Sequence, residues 1–162
     1  AVVAHGGEFD ALNQPGLLPM SELPAPPRLP IPAPPCGHEL VLKVIPMPAD
    51  ANGNGDIFGG WVMAQVDLAG SVLPARLVQG RMATVAVNEF VFKHPVRVGD
   101  ICSFFAHVTR IGRTSVTVEV EVYSERFAGQ GRYVKVTEAR LTYVALDAEG
   151  RPRPVVVPAA HP

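Results

Sequence analysis

The chain has little sulphur to work with. It holds two cysteines, Cys36 and Cys102, and no Cys-x-x-Cys pair. That excludes a disulfide framework and points to free thiols in a reducing compartment. No apolar run approaches the ~20 residues needed to span a bilayer. No charged stretch leads into an apolar one near residue 1, so no secretory leader is expected. Asn-x-Ser/Thr sites are absent as well. Charge of one sign is also missing: the net value is −1. No basic surface for nucleic acid and no acidic tail are therefore expected. A cytoplasmic protein, without nucleic-acid or membrane partners, is the expectation these absences leave.

Several catalytic templates are missing too. There is no Gly-x-Ser-x-Gly turn to raise a serine nucleophile. There is no Gly-x-x-x-x-Gly-Lys-Ser/Thr phosphate loop. Gly53-x-Gly55 begins a dinucleotide fingerprint, but Phe58 stands where its third glycine belongs. The five histidines (His5, His38, His94, His107 and His161) are scattered without metal-ligand spacing. His94 precedes Pro95 and His107 falls inside a strand-like run, so both read as structural. No metal is expected.

What the chain does have is apolar substance: 48 % of 162 residues are hydrophobic. That suits one domain with a sizeable core. Nine of the seventeen prolines fall within residues 1–35. Proline removes backbone donors, so residues 1–37 read as a flexible or surface-draped arm, or one lying along a neighbouring subunit. Residues 38–150 read as the folded domain and 151–162 as a second Pro-rich tail.

Within the domain, a first strand is predicted over Glu39–Ile45, and a loop with Asn52-Gly53 and Asn54-Gly55 turns follows. The one long helix is predicted over Gly60–Val78, weakened and kinked by Gly70 and Pro74. Four strands follow over Met82–Phe92, Asp100–Ile111, Arg113–Ser124 and Arg132–Leu146. In the third of these, Val116, Val118, Val120 and Val122 alternate with Thr117, Glu119 and Glu121, the period of a half-buried strand. The order predicts an α+β domain, one apolar helix wrapped by a curved antiparallel sheet of about five strands.

That helix is apolar on nearly every side, yet Asp67 stands in its middle. An ionised carboxylate among apolar groups is costly unless paired or used. Its helical neighbours Gly60, Ala64, Gly70 and Ser71 are small and leave room for something to approach. One reading packs that small face on a twin helix or strand, with Asp67 paired to an arginine. The other makes it a site. Gly59 and Gly60, at the helix start, would then offer unpaired N–H groups to an oxyanion, as acyl transfer requires. The Gly112-Arg113-Thr114-Ser115 turn offers a cation, two hydroxyls and turn amides, which is a cradle for phosphate. Lys93 and Arg97 at another strand end would add to it.

The run Met47-Pro48-Ala49-Asp50-Ala51-Asn52, then Asn54-Gly55-Asp56-Ile57-Phe58-Gly59-Gly60-Trp61, then Met63 and Asp67, closely resembles the YciA-like acyl-CoA thioesterases of the hotdog-fold superfamily. The likeness continues through Gly80-Arg81, Phe92-x-x-Pro95-Val96-x-Val98-Gly99-Asp100, Gly112–Ser115 and Tyr143-Val144-Ala145, covering about residues 39–155.

The resemblance implies a long helix in a curved sheet, dimers with active sites at their interface, and hexamers built as trimers of dimers. It implies hydrolysis of acyl-CoA to free CoA and a carboxylic acid. Asp67 would be the catalytic carboxylate. Asn52 of the facing subunit would position the water or the thioester. Gly59 and Gly60 would polarise the thioester carbonyl. The turn Gly112, Arg113, Thr114, Ser115, together with Lys93, would lie near the CoA phosphates. No cofactor is implied beyond the CoA of the substrate. Two rivals stand beside it: a hotdog hydratase or dehydratase, which usually recruits a histidine, and a non-catalytic acyl-CoA sensor.

Overall fold

The computed structural model describes Glu22, Pro35, residues 37–127 and residues 132–155. The Pro-rich arm expected over 1–37 lies almost wholly outside the described residues, as does Cys36. The elements run β1 (Glu39–Val44), a 3-10 turn (Pro48–Asp50), α1 (Gly59–Val78), β2 (Met82–Phe92), β3 (Ile101–Ile111), β4 (Ser115–Glu125) and β5 (Tyr133–Ala145). Every predicted element is present, its ends displaced by two residues at most. The largest displacement is at β4, because Arg113 and Thr114 belong to the turn before it.

The sheet is antiparallel throughout, in the order β1-β3-β4-β5-β2. β1 and β2 are adjacent in sequence order but lie on opposite edges. α1 connects them and therefore crosses the sheet face. Val116, Val118, Val120 and Val122 are fully buried, whereas Thr117, Glu119 and Glu121 on the opposite face are only half-buried. Register shifts in all four strand pairings, of the kind a β-bulge makes, bend the strands. This is the helix-in-curved-sheet architecture the resemblance implied.

α1 buries Val62, Val66, Ala69, Gly70, Pro74 and Val78. Those positions form a single stripe on the sheet. The helix continues through Gly70 and Pro74 to Val78 rather than ending there. A second stripe stays bare: Met63 is 46 % exposed and Leu68 58 %. The edge strand β2 is bare too, with Val85, Val87, Val91 and Phe92 all exposed. This explains why the helix looked apolar on most sides: one face is core, and the other is apolar surface.

The tail read from residue 151 onward is packed as far as Val155. Leu146 pairs with Pro152, and the Val155 N–H donates to the Arg113 carbonyl at 2.9 Å. Arg153 donates to the carbonyls of Val78 and Gln79, each at 2.7 Å. It thus supplies donors for the carbonyls that a helix end leaves unsatisfied. Gly80 makes this possible: a Cβ there would stand 3.0 Å from the Arg153 guanidinium, and its φ of +124° favours glycine.

Cys102 is a buried free thiol. Burial, followed by the Asp100 carboxylate, pushes it up to about 12, so it is an inert core group. No helix among the described residues is long and apolar enough to cross a membrane.

Candidate active site

Asp67 sits two turns into α1, over the β2–β5 pair. Thr84 on β2 and Tyr143 on β5 are direct cross-strand partners. Directly opposed residues present their side chains on one face, here toward the helix. The Thr84 hydroxyl donates to Asp67 Oδ1 at 2.7 Å. The Tyr143 hydroxyl donates to the Asp67 backbone carbonyl at 2.9 Å and lies 3.4 Å from Oδ1. A phenol has one proton, so the shorter contact takes it. Burial, then the charge of Asp67, hold the Tyr143 phenol above its ordinary value, which keeps it protonated as a donor.

Asp67 Oδ2 has no hydrogen-bond partner among the described residues. One oxygen is thus fixed and the other is available. The arginine partner entertained from sequence is not what holds Asp67; a threonine and a tyrosine do. No histidine hydrogen-bonds to it among the described residues.

Neither Thr84 nor Tyr143 stood out in the sequence as a site residue. Gly70 carried a signal: it stands one turn after Asp67, and a Cβ there would fall 2.5 Å from the Tyr143 hydroxyl. The glycine that looked like a weak point of the helix is the space through which tyrosine reaches it. We expect Thr84→Val to lower turnover about tenfold or more while the fold is kept, since it removes a hydrogen bond to a charged group. Unchanged turnover would show that Asp67 needs no such positioning.

The loop before the helix is a separate part of the site. Asn52 Oδ1 accepts from the N–H groups of Asn54 at 2.9 Å and Asp56 at 3.3 Å. This asparagine turn shapes the loop and leaves its amide NH2 as the side chain's donor. The Phe58 N–H donates to the Asp50 carbonyl, and the Ile57 N–H to that of Val96. The helix start has no side-chain cap. The Gly59 and Gly60 N–H groups have no acceptor among the described residues. Gly59 also borders a cleft of about 380 Å³ lined by Ile57, Val62, Phe92, Lys93, His94, Pro95, Val96 and Val136. A Cβ at Gly59 would press on the Phe92 ring at 3.2 Å.

The predicted residues do not all converge within one chain. Gly59 and Asp67 are eight positions apart on a helix, about 12 Å along its axis. The Gly112–Ser115 turn closes tightly, the Gly112 N–H donating to the Ser115 carbonyl at 2.7 Å. Ser115 aligns with Val144, beside Ala83, whereas Lys93 follows Phe92 at the Thr137 end. The turn and Lys93 of one chain therefore stand at opposite ends of its sheet. Lys93 is also engaged, its ammonium 2.8 Å from Glu138. Next to the Gly59 cleft lies a second one of about 410 Å³, lined by His94, Arg97, Asp100, Arg126 and Arg132 among others.

Residues 54–126 match the family model described as the thioesterase superfamily. The acyl-CoA thioester hydrolase YciA of Salmonella typhimurium is 45 % identical over 121 residues, covering 74 % of this chain and 91 % of that one. Among solved structures, the hexameric thioesterase y2039 of Yersinia pestis is 43 % identical with a TM-score of 0.71, covering 75 % of this chain and 98 % of that one. The hexameric hotdog fold thioesterase Cj0915 of Campylobacter jejuni is 42 % identical with a TM-score of 0.69, covering 73 % of this chain and 90 % of that one.

Proposed function

This chain belongs to the thioesterase superfamily, among the YciA-like acyl-CoA thioester hydrolases of hotdog fold, and we propose that it hydrolyses acyl-CoA to a carboxylic acid and free CoA. The observation that carries the reading is Asp67, held on one oxygen by Thr84 with the other oxygen open.

The site is built by two copies. β2 is an edge strand with bare apolar side chains, beside the bare stripe of α1. An exposed apolar edge of this kind invites a second copy. Two-fold pairing of β2 with itself runs antiparallel, so the Met82 end of one strand meets the Phe92 end of the other. Asp67 and Thr84 belong to the first end; Gly59, packed on Phe92, belongs to the second. The pairing thus brings Asp67 of one subunit toward Gly59 and Asn52 of the partner subunit, which a single helix keeps about 12 Å apart. It also brings the Gly112–Ser115 turn to the same end as Lys93 of the partner subunit. Association of three such dimers into a hexamer is part of this proposal, as is a cytoplasmic setting.

The chemistry then follows. The thioester carbonyl accepts from the partner's Gly59 N–H, and Gly60 and the helix start add to the field. One oxyanion donor contributes ~3–4 kcal/mol. Asp67 either takes a proton from the attacking water or attacks the carbonyl itself to give a mixed anhydride that water then opens. In both routes CoA leaves as the thiolate and is protonated, and water supplies the hydroxyl of the acid. General-base assistance adds about 10²–10⁴-fold. The route needs no metal or organic cofactor, because CoA arrives with the substrate.

Release of free thiol from acyl-CoAs, acetyl to palmitoyl, tests the proposal. Hydrolysis supports it; CoA binding without release would move the protein to a sensor, and water addition to an enoyl-CoA would move it to a hydratase. Arg113→Ala is expected to raise KM more than it lowers kcat, because a contact to remote phosphates is made equally in ground and transition states. An unchanged KM would take the turn out of CoA binding.

A further inference from the structure

The histidines that look scattered in sequence are not all scattered in space. Glu39 is paired with Ala106, so His38, just before β1, falls beside His107 on β3. Their ring centroids are 3.9 Å apart. His107 is itself the direct partner of Glu119 on β4, and Glu121 lies two residues further along the same face. Four donors thus gather on the sheet face turned away from α1 and from Asp67. Ligand atoms of His38, Glu119 and Glu121 all lie within 4.8 Å of one another. His107 Nδ1 is buried and has no hydrogen-bond partner among the described residues.

We propose that His38, Glu119 and Glu121, with His107 packed against His38 as a further donor, form a binding site for a first-row divalent transition cation such as Zn2+. Two imidazoles with two carboxylates suit such an ion better than Mg2+ or Ca2+, which favour all-oxygen shells. Glu119 and Glu121 turn negative charge toward the cation, the latter sharing its charge with Lys135. Bonds of about 2.1 Å require the three donors to draw in by roughly an ångström, a rotamer adjustment for half-buried side chains.

Outer contacts already orient one ligand. Glu121 accepts from the Tyr123 hydroxyl at 2.9 Å and from the Lys135 ammonium at 2.6 Å, and Lys135 is shared with Glu138 at 2.7 Å. The cation would join the start of the edge strand β1 to β3 and β4.

The test uses the full chain without an affinity tag, freed of metal with a chelator. Zn2+ is titrated calorimetrically, and Co2+ by its visible absorption, with Glu119→Gln and His107→Gln alongside. The expected result is one equivalent per chain, a raised Tm with Zn2+, and Co2+ bands of a nitrogen–oxygen site. Each variant should weaken affinity at least tenfold and leave thiol release unchanged. If His107→Gln fails to fold, Glu119→Gln carries the comparison. No saturable binding, or equal binding by wild type and variants, overturns the proposal and leaves the cluster a set of ion pairs.

Discussion

Asp67→Asn is expected to lose at least about 100-fold in turnover while the fold survives. The replacement is nearly isosteric, and its amide oxygen still accepts the Thr84 hydrogen bond made at 2.7 Å in the native chain. What changes is the other position, where an NH2 neither accepts a proton from water nor attacks a carbonyl. The loss should therefore fall on kcat, with KM little altered. Asp67→Ala removes both oxygens and should lose as much or more. Stability should hold in either variant, because the carboxylate is only half-buried and contributes no core packing. A folded Asp67→Asn protein with near-native turnover would falsify the assignment and leave the backbone amides as the main catalytic groups.

Asp67 stood out as a candidate because its local pattern is anomalous: a lone carboxylate on an apolar helix. The strands were legible for the opposite reason, since Val116 to Val122 alternate regularly and the core takes one face whole. Thr84 and Tyr143 were not legible as site residues, because each is an ordinary strand residue on its own. They become a pair only through the β2–β5 register, which joins segments far apart in sequence. The same holds for Lys93. Its charge suggested a common site with the Gly112–Ser115 turn, but only the topology reveals that the two lie at opposite sheet ends within one chain. His38 and His107 show the converse, being distant in sequence and neighbours in the fold. Local chemistry thus pointed to the carboxylate and the helix start as candidates, whereas the groups that hold the carboxylate depended on pairing.

Arg126→Ala is expected to destabilise the fold by about 3–5 kcal/mol, the cost of leaving a buried ion without its partner. The partner is Asp100, 2 % exposed, which ends the turn before β3. Its Oδ2 accepts from the Arg126 guanidinium, from Ser124 Oγ at 2.8 Å and from the Arg97 N–H at 3.0 Å. Arg126 also donates to the Pro95 carbonyl at 2.8 Å. One guanidinium therefore ties β4 to the segment that carries His94, Pro95 and Val96, the wall of the cleft beside Gly59. For a chain of this size the loss corresponds to a Tm fall of roughly 10 °C. Unfolding should be followed at fixed protein concentration, because association adds to apparent stability. The double variant Asp100→Asn/Arg126→Met should recover part of the loss, since it removes the stranded charge along with its partner. If Arg126→Ala costs less than about 1 kcal/mol, the pair behaves as a surface bridge does, and the cleft wall is held by Ile57 and Val96 instead. If the cost is as large as expected and KM rises with it, the buried ion pair is what keeps the Gly59 cleft in shape for the acyl thioester.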